Sequence, residues 1–311
     1  MEIRENVGLA AYTTLGIGGA ARYFVEAKTE ADASEAVAWT AARDVPLFLL
    51  GGGSNLLVAD EGFGGLVLHM AIAGIEADGE GAFDVGAGES WDAFVSRAIG
   101  MGCAGIECLA GVPGSVGGTP VQNVGAYGQE VAESIVSVRA FDRRSGEFVE
   151  LANADCGFRY RESLFNTSER GRYIVTRVRF ALRSGGPPCI EYKDLQRRFA
   201  AHASPTLAQV ADAVREIRLS KGMLIVPGDA DSRSAGSFFK NPIVAKDTLT
   251  HVAGVVRVGE GKVPHWKVGD GRVKISAAWL LERAGFVKGY GSGPVRISSR
   301  HTLALTNRGS A

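Results

Sequence analysis

Two glycine-rich stretches could do chemistry with backbone rather than side chains. Gly51, Gly52 and Gly53 follow the apolar run Leu47–Leu50 and lead into Ser54 and Asn55. Three phosphate-binding readings compete for them. A P-loop needs Gly-Lys-Ser/Thr after its glycines, and no lysine follows here. A Rossmann loop needs G-x-G-x-x-G opening a helix, whose N-terminus supplies the positive dipole. "GGGSNLLVAD" has neither that spacing nor a helical period. "GIGGAA", Gly16 to Ala21, matches G-x-G-x-x-A but runs into strand-like "RYFV", and reads as coincidence. What remains is a turn whose successive N–H groups form an anion nest, with Ser54 and Asn55 as added donors. A glycine hairpin holding no ligand stays open beside it.

The second stretch, Leu109 to Glu130, interleaves Gly111, Gly114, Gly117 and Gly118 with small residues and then continues "NVGAYG". So many missing side chains would let backbone amides line a large flat ligand. A nest plus such a platform suits a dinucleotide carrying a fused ring system.

These loops must hang on regular elements. "ARYFVEA" alternates as a strand, and Thr29 with Asp32 marks the start of a helix through "ASEAVAWTAARD". "VPLFLL" is a buried strand, and Ser90 caps "WDAFVSRAIG". "ESIVSVRAFD", "EFVEL" and "RYIVTRVRFAL" are strands. Thr206 and Gln209 have capping-box spacing before a helix lined by Leu207, Val210, Val214 and Ile217, with Arg215, Arg218 and Lys221 complementing its C-terminus. Ser276 and Gly285 bound a shorter helix. "RSGGPPC", Arg183 to Cys189, is the natural linker. Strands that neighbour one another in sequence favour α+β over a doubly wound sheet.

The bulk numbers exclude much. Of 311 residues 46% are apolar and 22% charged, and 34 basic residues balance 34 acidic ones. That gives no electrostatic footprint for nucleic acid or a membrane surface. No apolar run approaches a membrane span, and "MEIRENVG" is no secretory signal. Four cysteines, without CxxC pairs or neighbouring histidines, read as reduced cytoplasmic thiols rather than metal ligands.

"LLGGGSNLLV", "GVPGSVGGTPVQNVGAYG", "GFRYRESLF" and "SAGSFFKNP" occur in the order and approximate spacing of UDP-N-acetylenolpyruvoylglucosamine reductases, the UDP-N-acetylmuramate dehydrogenases. The chain resembles that family from about Ala11 to its last residues. The glycine motifs are shared by vanillyl-alcohol-oxidase-like flavoproteins generally; "YRES" paired with "GSFFKNP" is the specific signal. The resemblance implies a PCMH-type FAD-binding domain over 1–183, in subdomains of about 1–66 and 67–183, and an α+β substrate-binding domain over 184–311. It also implies a cytoplasmic monomer whose partners are NADPH and the enolpyruvyl UDP-sugar.

By the same resemblance Gly51, Gly52, Gly53, Ser54 and Asn55 hold the FAD pyrophosphate. Gly111, Gly114, Ser115, Gly117, Gly118, Thr119, Asn123, Gly125 and Ala126 line the rest of the cofactor. In the family reaction NADPH reduces FAD, and flavin N5 delivers hydride to the enolpyruvyl double bond. The resulting enolate needs a cation, and its α-carbon needs a proton. Arg161 resembles the enolate-stabilising arginine and Ser237 the proton donor. Read alone, Arg161 is one of several clustered surface arginines and Ser237 a turn or capping serine. Lys221, Lys240 and Asn241 could meet diphosphate or carboxylate oxygens. Tyr192 resembles a tyrosine that closes over the UDP portion, and is otherwise a half-exposed strand residue. Tyr160 could pack on the substrate or fill core.

The chain departs from the family pattern in one respect. The family uses a glutamate near its C-terminus, in a segment like "EVRFIG", and no Asp or Glu follows Ala304 here. The resemblance leads to the expectation of an NADPH-dependent, FAD-containing reductase of the enolpyruvyl UDP-sugar, with a substrate domain truncated at its C-terminus. A truncated FAD- and UDP-sugar-binding protein with impaired or no turnover is the alternative. An FAD-dependent sugar or alcohol oxidase is the remaining alternative. Such enzymes often carry flavin covalently on His or Cys, and neither glycine motif contains one.

Overall fold

Leu47–Leu50 is a strand, parallel to Phe63–Met70, which pairs in turn with Ala20–Ala27. The parallel arrangement requires a crossover, and the helix Glu30–Ala41 provides it. Its start is closed reciprocally: Thr29 Oγ1 accepts from the Asp32 amide at 3.1 Å, and Asp32 accepts from the Thr29 amide at 2.9 Å. Arg4–Gly8 pairs antiparallel with Ala20–Ala27 and completes a four-stranded sheet. Val25, Leu66 and Leu68 are fully buried with Ala33 and Ala36 of the helix.

A second sheet is antiparallel throughout, in the order Glu147–Ala152, Ile135–Asp142, Tyr173–Ala181, Ala82–Gly86, Ile75–Ala77. The helix Trp91–Gly100, capped by Ser90, sets Trp91 and Phe94 against Phe83 and Phe180. Burying each such ring contributes about 1.5–3 kcal/mol. The Trp91 indole N–H donates to Leu109 O at 3.2 Å, so no donor is stranded in that core. Residues 103–134 have little regular structure, yet Ile106, Leu109, Val116 and Val131 are fully buried. Their backbone groups must find partners elsewhere. Trp91 N–H donates to Gly114 O, Val116 N–H to Glu89 O and Gly117 N–H to Ala87 O, at 2.9–3.1 Å.

The computed structural model describes residues 1–201 and 204–309, in two units: Met1–Thr13 with Ile17–Leu219, and Thr14–Gly16 with Ser220 onward. The boundary expected after Arg183 therefore falls inside the first unit. Arg183–Ser184 pairs with Cys103–Ala104 instead of hanging free as a linker. Beyond it, Leu195, Val210 and Val214 join the core that holds Trp91 and Phe180. An internal division after residue 66 would cut the strand Phe63–Met70, so the first sheet ends at Met70.

In the second unit Arg272–Ile275 is the middle strand of an antiparallel sheet, between Ile243–Ala245 and His265–Lys267. Leu249 and Ala253 of the helix Lys246–Val256 pack on Val273 and Ile275. The sequence reading does not anticipate this helix, whose first residue follows Ala245 with no side-chain cap. Ala277–Arg283 has its expected Ser276 cap, and Val295–Ile297 pairs with Leu305–Asn307. One mixed sheet with its crossover helix, together with antiparallel sheets and helices set apart from them in sequence, makes the chain α+β, as expected.

Candidate active site

At the end of the first sheet Leu50 passes the chain to Gly51. Gly53 has φ +60°, and a Cβ there would lie 1.8 Å from Tyr12 O, so only glycine fits. Gly52 is pressed onto the second glycine stretch, where a Cβ would come 2.7 Å from Gly114 Cα. Ser54 Oγ donates to Pro113 O at 3.1 Å, and Asn55 Nδ2 to Gln122 Oε1 at 3.0 Å. These two side chains stitch the two glycine loops together. "GIGGAA" is a packing feature: a Cβ on Gly19 would lie 2.0 Å from Asp60 O, and no helix follows.

The glycines of the second stretch differ in what they serve. Gly111 and Gly114 have positive φ. A Cβ on Gly117 would sit 2.5 Å from Ala87 Cβ, and one on Gly125 2.8 Å from Glu130 Cγ. The protein's own packing demands these. Gly118 is different, because the nearest atom to a Cβ there would be Ser115 Oγ at 3.8 Å. Neither backbone nor packing calls for glycine at that position, and a bare surface is what a flat ligand needs. The cradle thus fits a dinucleotide. Ser115 and Thr119 are buried, and Thr119 Oγ1 donates to Val116 O at 2.8 Å. Asn123 uses its side chain internally, donating to Glu130 Oε2 and Arg159 O at 2.8 and 3.0 Å and accepting from Ala132 N–H. Its side chain thereby shapes the loop. Ala126 lies in the hairpin of Gly125–Ala126 with Gln129–Glu130.

Arg159 and Glu162 exchange backbone hydrogen bonds of 2.9 and 3.1 Å, leaving Tyr160 and Arg161 at the tip of a two-residue turn. Arg161 has φ +60°, which costs a non-glycine residue about 1–2 kcal/mol. Its guanidinium donates to Gly125 O at 2.5 Å and lies 5.8 Å from the Tyr160 ring centroid. Asn123 and Tyr127 also have positive φ, and Asn123 bonds the turn that carries Arg161. Strain gathered in one loop cluster persists only where surroundings over-determine it, and it makes this cluster a candidate site.

Tyr192 precedes the short helix Lys193–Arg198, so it is not a strand residue. Its ring meets Tyr127 edge-on, with centroids 5.1 Å apart. Tyr127 is a residue the sequence reading passes over, although an aromatic between glycines in the second stretch is its visible signal. Arg218 is another. Rather than serving the helix end, it is buried and donates from Nε to Gly111 O at 2.9 Å, while Gly111 N–H donates to Asp92 at 2.7 Å. Burial pulls its pKa below the ordinary arginine value, and Tyr127 partly offsets that. No local motif announces a contact between residues 107 positions apart.

In the second unit Ser237 and Lys240 lie exposed on one loop, Lys221 is half-buried, and Asn241 Oδ1 accepts from the Ala277 N–H at 2.9 Å. Asn241 thereby completes a helix start, which leaves its amide donors for a ligand. The loop is anchored throughout. Asn307 N–H donates to Arg233 O, Phe238 N–H to Leu303 O and Thr14 Oγ1 to Ser234 O, at 2.6–3.0 Å. Beneath it the buried Asp231 accepts from Ser299 N–H, Ser299 Oγ, Arg300 Nε and Arg308, and Arg300 also pairs with Asp229. Burial alone would raise the Asp231 pKa. The Ser299 and arginine bonds outweigh it and hold the carboxyl at about 2.

An FAD-binding domain family matches residues 21–152, and the family of UDP-N-acetylenolpyruvoylglucosamine reductase C-terminal domains matches residues 228–311. A UDP-N-acetylenolpyruvoylglucosamine reductase of Streptomyces coelicolor is 48% identical over 97% of this chain and 80% of its own length. One from Thermobifida fusca is 48% identical over 99% of this chain and 88% of its own length. The crystal structure of UDP-N-acetylenolpyruvylglucosamine reductase from Thermus caldophilus superposes with a TM-score of 0.67 at 29% identity, covering 100% of this chain and 90% of that one.

Proposed function

The chain belongs to the UDP-N-acetylenolpyruvoylglucosamine reductase family, and on that premise we propose that it reduces UDP-N-acetylenolpyruvoylglucosamine to UDP-N-acetylmuramate with NADPH, for peptidoglycan precursor synthesis in the cytoplasm. FAD, when bound, supplies the hydride relay between NADPH and the enolpyruvyl double bond. Gly51 to Asn55 would hold its pyrophosphate, and the loop from Gly111 to Ala126 would line the rest of it.

Hydride addition to the β-carbon of an unsaturated carboxylate leaves negative charge on that carboxylate. Arg161 stabilises it, because a guanidinium stays charged and matches two carboxylate oxygens with two parallel N–H groups. Ser237 gives the α-carbon its proton. Tyr160 and Tyr192 hold the nucleotide sugar, Lys221 and Lys240 meet its diphosphate, and Asn241 orients it through Nδ2.

Arg161 carries this reading. It is held in a strained conformation against the glycine hairpin, and its hydrogen bond to Gly125 O uses one guanidinium N–H, leaving others for a carboxylate. The test is anaerobic stopped-flow absorbance on the FAD-loaded protein. NADPH should bleach the flavin band, and the enolpyruvyl sugar should restore it within the turnover time. A flavin that reduces and stays reduced in the presence of the sugar would overturn the assignment.

A further inference from the structure

Glu107 has no solvent exposure. A buried carboxyl is costly unless hydrogen-bonded, and this one accepts from three N–H groups: Gly105 at 2.7 Å, Gln129 Nε2 at 2.9 Å and Cys189 at 2.7 Å. The donors come from separate stretches. Gln129 belongs to the hairpin Gly125–Ala126/Gln129–Glu130, and its own Oε1 accepts from Cys108 N–H at 2.8 Å. That hairpin presents Gly125 O to the Arg161 guanidinium, and Tyr127 at its tip packs on Tyr192. Cys189 opens the run Cys189-Ile190-Glu191-Tyr192. Hairpin tip and run abut so closely that a Cβ on Gly128 would lie 3.2 Å from Glu191 Cβ.

We propose that Glu107 is a positioning residue for the sugar nucleotide: one buried carboxylate fastens both the hairpin that holds Arg161 and the run that holds Tyr192, and so sets the gap between them. This rests on the assignment of Arg161 and Tyr192 to the substrate, and adds to it the residue that fixes their separation. A carboxylate is needed for the bonding rather than the space. Glutamine fills the same volume, but its NH₂ would face one N–H donor head-on.

The experiment compares E107Q, Y192A, C189P and the double variant E107Q/Y192A with the wild type, all loaded with FAD. C189P removes a single N–H that tethers the tyrosine run and leaves the carboxylate alone. Losing one such bond should raise KM for the enolpyruvyl sugar about tenfold, with kcat and FAD content unchanged. If Glu107 acts through Tyr192, its KM penalty largely disappears in the Y192A background. Unchanged KM in C189P, a fall in kcat instead of a rise in KM, or fully additive penalties would each overturn the proposal. Should E107Q fail to fold, C189P decides alone. A wild type that never oxidises its reduced flavin with the sugar fails the reductase assignment itself. That outcome is distinct from an active wild type with indifferent variants.

Discussion

Ser237 sits on an exposed loop, where a hydroxyl is an ordinary weak acid, so its role is testable by isolating the half-reaction it serves. Ser237→Ala should leave flavin reduction by NADPH unchanged and slow reoxidation by the enolpyruvyl sugar about 10²–10⁴-fold. Equal slowing of both half-reactions would exclude it as the proton donor. The thiols allow a second residue-level expectation. Burial raises the pKa of Cys108 and pushes that of Cys156 up to about 12. Iodoacetamide at mildly alkaline pH should therefore leave both unmodified until the protein unfolds, as mass spectrometry of the peptides would reveal. Residues whose partners are close in sequence were legible there: Thr29 with Asp32, Ser90 and Ser276 as caps, Thr206 with Gln209. Glu107 and Arg218 were not, because Glu107 reaches as far as Cys189, 82 positions away, and Arg218 bonds Gly111 across 107. For Ser54 and Asn123 the internal partners were not legible, since a sequence shows a donor without showing what already accepts from it.

The element that matters most is the contact between the two glycine loops. In Gly52→Val the new side chain must push Gly114 and Ser115 away, since even a Cβ would come within 2.8 Å of their backbone. Overpacking of this kind costs about 1–3 kcal/mol, so FAD affinity should fall roughly tenfold or more. Flavin released per protein on gel filtration measures it, and full retention would remove Gly52 from the pyrophosphate assignment. Strands and capped helices were readable from their periods. The buried irregular run between residues 103 and 134 was not, because glycine-rich backbone satisfied by other loops carries no period. Lys246–Val256 lacked the start signal that a side-chain cap would have given.

For the molecule as a whole, the run of neighbouring strands in the sequence was enough for the α+β class. The division into units escaped because a Gly-Pro stretch reads as a linker whether or not its flanks share a core. The second unit has a built-in acid sensitivity. The folded Asp231 carboxyl is held at about 2, below its ordinary 3.8. A depressed carboxylate stabilises the folded state fully above the unfolded value, and that contribution is lost as pH falls through the folded one. Asp231→Asn should thus lower Tm clearly at pH 7, and the gap from the wild type should narrow toward pH 2. A gap independent of pH would show that the ion cluster contributes nothing. The membership of Thr14–Gly16 in this unit bears on how the protein is made. Thr14 bonds Ser234, and Asn307 Nδ2 donates to Leu15 O across 292 positions. A ribosome delivers the first of these residues long before the last. The second unit must therefore wait for the strand Leu305–Asn307 before it can close, with its N-terminal piece held open until then.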